Sequence, residues 1–269
     1  MKIAIQGEAG SFHDEASQIL FGPDITLVAC ENFRDVFAAV SDSVADAGLV
    51  AVENSLYGSL HETYDMIARY KFPIIGEVSL AIRQQLIGFP CATKTEIDEI
   101  YSHPAALDQC RNYLETNFPD AELIEHYDTA AAVEHIKSAG LLGSAAIASN
   151  RAAELHNMQV LDKNIEDEAE NITRFVAISP TSKPSGDANK AALVVTTKHN
   201  PGALYEALGV FQRLGANLTK LESRPIRGEA FKYQFIIDTL ADNYQITKIQ
   251  SNLESQGCSV TLLGHYKSS

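Results

Sequence analysis

Short apolar runs, of the kind that fill a sheet buried on both faces, alternate with amphipathic stretches through the first 180 residues. That alternation restricts the fold more than any single motif does. Residues 2–6, 25–29, 47–52, 98–102, 121–125 and 144–148 read as strands, with further strand runs around 73–88. Helical spacing falls between them at 11–21, 32–41, 59–69, 104–116 and 129–138. The pattern predicts an α/β domain with mainly parallel sheets and helices on both faces. Such sheets receive ligands at the carboxyl ends of their strands. Attention therefore goes to the turns after Gln6, Val52, Ser102 and Ile147.

The order changes after residues 180–189, a polar stretch with two prolines and a glycine that reads as a linker. A strand at 191–196, a helix at 201–214, strands at 217–226 and 230–238, a helix at 244–255 and a strand at 258–265 follow. This βαββαβ order is the split, ferredoxin-like arrangement. The expected domains are 1–180 and 190–269.

Composition removes several function classes. A net charge of −14 argues against nucleic acid, whose phosphates call for clustered Lys and Arg. It leaves room for a small anion held by backbone amides and an arginine. No apolar run reaches the roughly 18 residues that would span a bilayer. The start at Met1-Lys2-Ile3-Ala4-Ile5 shows no signal-peptide pattern, so a cytoplasmic location is expected. The four cysteines and eight histidines are dispersed, without C-x-x-C or H-x-x-x-H spacing. Neither a disulfide framework nor a metal site is expected.

Five stretches carry polar chemistry. In Gln6-Gly7-Glu8-Ala9-Gly10-Ser11-Phe12-His13-Asp14, two glycines permit a tight turn, and Ser11 with Asp14 or Glu15 reads as a capping box. A helix N-terminus there suits a carboxylate or phosphate, although a capped turn without a ligand accounts for the same residues. Asn54 and Ser55 follow strand 47–52 and suit orienting a substrate, while a solvated turn capped by Ser59 is the plainer alternative. Ser102-His103-Pro104 opens a helix with Ser102 as candidate cap, and both Ser102 and Gln109 can reach one cleft. His103 beside a cap reads as structural more readily than as a general base. In Asn171-Ile172-Thr173-Arg174-Phe175, Thr173 supplies a hydroxyl and Arg174 a fork for a carboxylate. The fifth stretch, Leu221-Glu222-Ser223-Arg224-Pro225, lies in the C-terminal module. The residues alone stop at a two-lobed α/β domain with polar strand ends.

Taken together, the stretches resemble prephenate dehydratase with a C-terminal ACT regulatory domain. The resemblance rests on Gly7–Ala16, Glu53-Asn54-Ser55 with Gly58 and Thr63, Ser102-His103-Pro104 with Gln109-Cys110, Ala145–Ser149, Asn171–Phe175 and Glu222–Pro225. It implies a catalytic domain with two lobes, like a type II periplasmic binding protein, and a cleft between them. It makes Thr173 the key catalytic residue and places Asn54, Ser55, Ser102, Gln109, Arg174 and His13 at positions that line or support the cleft. It also implies the decarboxylative dehydration of prephenate to phenylpyruvate, with no metal or organic cofactor. Arogenate dehydratase and a non-catalytic binding protein are the alternatives.

The resemblance further implies feedback inhibition by phenylalanine, bound between ACT modules in a homodimer or homotetramer. Gly202, Ala203 and Leu204 match one phenylalanine-binding stretch, and Asn217, Leu218, Glu222, Ser223 and Arg224 match the other. Three positions depart from the family pattern. His13 stands for a usual Ser or Thr, Ala51 for a usual Pro and Ala105 for a usual Gln. Thr173 and its flanks are intact.

Overall fold

The computed structural model describes residues 1–181, 187–226, 228–229 and 231–269. The middle of the expected linker, 182–186, lies outside the described residues. The chain falls into two compact units, one of residues 1–64 and 78–175, the other of 65–77 and 176–269.

The first unit begins with β1 (Lys2–Gln6), α1 (Phe12–Phe21), β2 (Thr26–Cys30), α2 (Phe33–Ser41), β3 (Ala47–Asn54) and the short β4 (Gly58–Ser59). Next come α3 (His61–Tyr70) and β5 (Ile74–Ala81), which cross between the units, and then β6 (Gln85–Gly88), β7 (Glu99–Ser102), α4 (Pro104–Gln109) and α5 (Arg111–Asn117). It continues through β8 (Glu122–Glu125), α6 (Thr129–Ala139), β9 (Ser144–Ala148), α7 (Asn150–His156), β10 (Gln159–Lys163) and the first half of β11 (Ile172–Ile178), whose last three residues belong to the second unit.

Two sheets build its two lobes. In the first, β1 pairs in parallel with β2 and with β3, and β11 lies beside β3. The core there is Ile3, Ile5, Leu49 and Phe37, all fully buried. The second sheet runs β10-β6-β9-β7-β8. Alternation puts Leu86, Ala145 and Ile147 on the face covered by Leu107 and Leu114. Ile87, Ala146 and Ala148 face the α6 and α7 residues Ala132, Val133, Ile136 and Ala152. Burial of both faces explains the unbroken apolar runs.

Three expectations change. The second sheet is mixed, because β6 is antiparallel to both β10 and β9 while β7 is parallel to β8 and β9. β6 brings the chain into this lobe and β10 takes it out, so the two must run in opposite directions. The helix expected at 104–116 is two helices that meet at Cys110. The Asp167 carboxylate accepts the Asn112 and Tyr113 N–H groups, at 3.0 and 3.3 Å, and so restarts the helix from a distant segment. α7 and β10 were not expected at all.

The second unit adds β12 (Lys190–Thr196), α8 (Ala203–Arg213), β13 (Asn217–Pro225), β14 (Tyr233–Leu240), α9 (Asn243–Ser255) and β15 (Ser259–Tyr266). This is the βαββαβ order, with the sheet running β13-β14-β12-β15 and the helix residues Val210, Phe211 and Ile249 clustered with Leu193 and Ile237 of the strands. Gly264 of β15 pairs with Ile74, where an added Cβ would lie 2.3 Å from the Ile74 carbonyl oxygen.

Candidate active site

A cavity of about 320 Å³ lies between the two lobes of the first unit. One wall comes from the ends of β1, β2, β3 and β11 and the first turn of α1. The other comes from α4 along its length, through Gln109, and from the start of α6. Beside it run the two lobe crossings, residues 82–84 and 164–171, fastened by Ile165 N–H to the Gln84 carbonyl at 3.0 Å and Ile82 N–H to the Asn171 carbonyl at 2.8 Å.

The glycine turn shapes the first wall. Gly7 has φ +87°, and a Cβ there would sit 2.5 Å from the Asp128 carboxylate of the opposite lobe. Gly10 has φ +91° and lies against Ala152 of α7. Ser11 caps α1 by accepting the Asp14 N–H at 3.3 Å. The reciprocal bond differs from the expected box, since Asp14 accepts the Gly10 N–H at 2.8 Å. The Phe12 and His13 amides, in the open first turn, remain for a ligand.

Thr173 and Asn54 form the centre. The Asn54 amide donates to Thr173 Oγ1 at 2.9 Å and to Asn171 Oδ1 at 2.7 Å. Its own oxygen accepts the Leu56 and Tyr57 N–H groups at 2.9 and 3.1 Å, which fixes which end of the amide faces Thr173. Thr173 is 9 % exposed and Asn54 is 8 % exposed. With its oxygen engaged by Asn54, the Thr173 hydroxyl has its proton to offer the cavity.

His13, Gln109 and His103 also line the cavity. The His13 ring stands edge-on to Phe175, centroids 4.9 Å apart, and its Nε2 is buried without a partner. Desolvation pushes its pKa down to about 4, so it is a neutral imidazole near pH 7. Gln109 Oε1 accepts from Gln84 at 3.0 Å.

The remaining candidates lie outside the lining. Successive strand residues face opposite ways, so Thr173 and Phe175 face the cavity while Arg174 points away, donating to the Tyr64 hydroxyl at 2.6 Å with its Nε 3.3 Å from Glu53. Ser55 donates to the Glu170 carbonyl at 2.6 Å and accepts the Ile172 N–H at 2.9 Å, tying the turn to β11. Ser102 is buried and donates to the Ile147 carbonyl at 2.6 Å. His103, not Ser102, caps α4, its Nδ1 accepting the Ala105 N–H at 3.2 Å.

The lining also holds residues that sequence reasoning missed: Gln84 and the acids Glu8, Glu31 and Asp128. Burial raises the Glu8 pKa, with Asp128 and Glu134 adding repulsion. Burial likewise raises Asp128, against the Ala131 and Ala130 N–H groups it caps. The Asp before an alanine-rich helix was a legible cap signal. Gln84 carried none.

In the second unit, Gly202, Ala203 and Leu204 line a separate groove of about 820 Å³ with Thr196, His199 and Phe235. Asn217, Leu218, Glu222, Ser223 and Arg224 are on β13 at the sheet edge and do not reach that groove. Glu222 lies 3.3 Å from Lys220, and Arg224 3.6 Å from Asp65. Within one chain, the two candidate phenylalanine stretches stay apart.

No helix among the described residues is long and apolar enough to cross a membrane. Among the same residues, no group of three His, Cys, Asp or Glu could hold a metal ion.

A family model described as prephenate dehydratase matches residues 3–183. The prephenate dehydratase of Lactococcus lactis subsp. lactis is 35 % identical over 274 residues, covering 99 % of this chain and 97 % of its own. The solved prephenate dehydratase from Arthrobacter aurescens in complex with L-Phe is 28 % identical, with a TM-score of 0.85 over 99 % of this chain and 90 % of that one. A solved chain described as GqqA, a novel type of quorum quenching acylase, is 30 % identical, with a TM-score of 0.86 over 100 % of this chain and 98 % of that one. The match in sequence and in fold runs through both units, and the chain belongs to the prephenate dehydratase family.

Proposed function

We propose that the inter-lobe cavity converts prephenate to phenylpyruvate, CO2 and water, with the Thr173 hydroxyl donating to the ring oxygen as it departs. The observation that carries this reading is the Asn54–Thr173 bond, which occupies the threonine oxygen and leaves its proton for the substrate. The ring carboxylate leaves as CO2, its bonding pair enters the ring, and the C–O pair leaves with the hydroxyl oxygen. One proton from solvent completes the water. Aromatisation drives the reaction, so the protein's part is to hold the substrate and stabilise charge on the leaving oxygen. Neutral His13, Gln109 and the first-turn amides of α1 are the groups that would receive the substrate's carboxylates. Ser55 and Ser102 fit supporting roles. Arg174, on the far face of β11, fits one as well.

Feedback by L-phenylalanine is proposed on the same terms, in a homodimer or homotetramer. The amides of Ala203 and Leu204 at the start of α8 suit a carboxylate, while the edge strand β13 of a second copy could bring Asn217 to the ligand. A cytoplasmic location goes with such a metabolic role.

A second reading has an observation of its own. Among the described residues, Glu8, Glu31 and Asp128 line the cavity and no Lys or Arg does, a balance that suits the ammonium group of arogenate. Turnover of both substrates by the purified chain, without added metal and with or without phenylalanine, tests all of this. Phenylpyruvate formed from prephenate and suppressed by phenylalanine supports the main reading. Product from arogenate alone moves the substrate assignment, and silence on both leaves a binding protein or an acyl-transfer enzyme.

A further inference from the structure

We infer that Asp128 sets the choice between the two substrate side chains, its free carboxylate oxygen accepting from the ammonium of arogenate and opposing the keto oxygen of prephenate. The inference rests on the proposed dehydratase chemistry.

Asp128 precedes α6 and lines the cavity. Its two oxygens are placed differently. Oδ1 accepts the Ala130 and Ala131 N–H groups at 2.8 and 3.0 Å, which fixes the carboxylate as the cap of the helix. Oδ2 takes no hydrogen bond from the described residues, and it is not sealed from solvent. Glu8 opposes the charge of this group, and His103 and His126 offset it.

The free oxygen stands over the glycine turn. A Cβ on Gly7 would sit 2.5 Å from Oδ2 and 3.5 Å from the Cβ of Ser11. Ser11 caps α1, so Oδ2 lies beside the helix whose first-turn amides are open. Donors for a carboxylate and an acceptor for a cation are thus neighbours, which is the pattern an α-amino acid group calls for.

The ring brings the side chain to this place. In both substrates the hydroxyl and the side chain sit on opposite ring carbons. With the hydroxyl at Thr173 on one wall, the side chain points to the other, where α6 begins. In arogenate the carbon beside the side-chain carboxylate carries an ammonium, which donates. In prephenate it carries a keto oxygen, which only accepts and meets Asp128 acceptor to acceptor. The carboxylate weakens prephenate binding without blocking the chemistry at Thr173, and it exchanges no proton.

The test compares the two substrates in the full chain. Asp128→Asn keeps the cap, because its carbonyl oxygen stays on the Ala130 and Ala131 amides, and so it puts a donor where Oδ2 was. Asp128→Ser also caps and removes the charge, and serves if the first variant does not fold. The kcat/KM for arogenate relative to that for prephenate is expected to fall by about 10–100-fold, through KM more than kcat. If the unaltered chain turns over only one of the two, the inhibition constant of the other takes the place of its kcat/KM. A fall of less than about tenfold, or a shift toward arogenate, would overturn the inference and leave Asp128 a helix cap. Silence on both substrates in the unaltered chain would remove the proposed activity and this inference together.

Discussion

Asn54 Nδ2 donates to Thr173 Oγ1 at 2.9 Å while Asn54 Oδ1 accepts two backbone N–H groups of its own turn. One side chain therefore closes the β3 turn and sets the direction of the threonine proton. Asn54→Ala should lower kcat by about 10²–10³-fold and lower stability by about 1–2 kcal/mol, because it removes an orienting donor and a turn acceptor together. Steady-state kinetics with a urea titration would check both. A loss of stability with undiminished kcat would mean that the turn, not the threonine, needs Asn54.

His13 ties folding to pH. Its native pKa, pushed down to about 4, lies below the unfolded value of 6.5, so the unfolded chain binds the extra proton between the two. Stability contributed by neutral His13 is present above about pH 6.5 and is lost as pH falls toward 4. The loss should reach up to about 3 kcal/mol. Urea unfolding at both ends of that window should show a smaller acid loss for His13→Gln than for the unaltered chain. Equal losses would place the acid sensitivity elsewhere.

Much of the site was legible because the sequence set its polar residues at strand ends. Asn54, Gln109, His13 and Thr173 do meet at one cavity. Arg174 was misread for a geometric reason: neighbours in a pentapeptide look like partners, yet on a strand they face apart. Ser102 looked like a cap, but the His103 ring performs that task. The break at Cys110 depends on Asp167, more than fifty residues away, which local spacing does not show. Gln84 sits in Arg83-Gln84-Gln85, a run with no pattern, and only the fold brings it into the cavity wall.

Arg174 gives a sharp contrast between the two readings. A carboxylate clamp would raise KM steeply when cut. Bonded instead to Tyr64 and Glu53, Arg174→Gln should leave KM within about threefold and lower stability by about 1–3 kcal/mol. A KM increase of about a hundredfold would restore the clamp.

In the second unit, Lys190 Nζ lies 2.9 and 2.8 Å from the two oxygens of Glu77, and both side chains are buried. Lys190→Met strands a buried carboxylate and should cost about 3–5 kcal/mol, whereas Glu77→Leu combined with Lys190→Met should recover much of it. Thermal melts of the single and double variants would show the order. A double variant less stable than either single one would contradict it.

The most direct test of the account is the turnover of Thr173→Ala on prephenate, alongside Thr173→Ser. The bond from Asn54 and the facing cavity predict a kcat loss of about 10²–10⁴-fold for alanine, with KM nearly unchanged and part of the rate kept by serine. An alanine variant that turns over within a few-fold of the unaltered enzyme would contradict the claim that this hydroxyl acts on the departing oxygen.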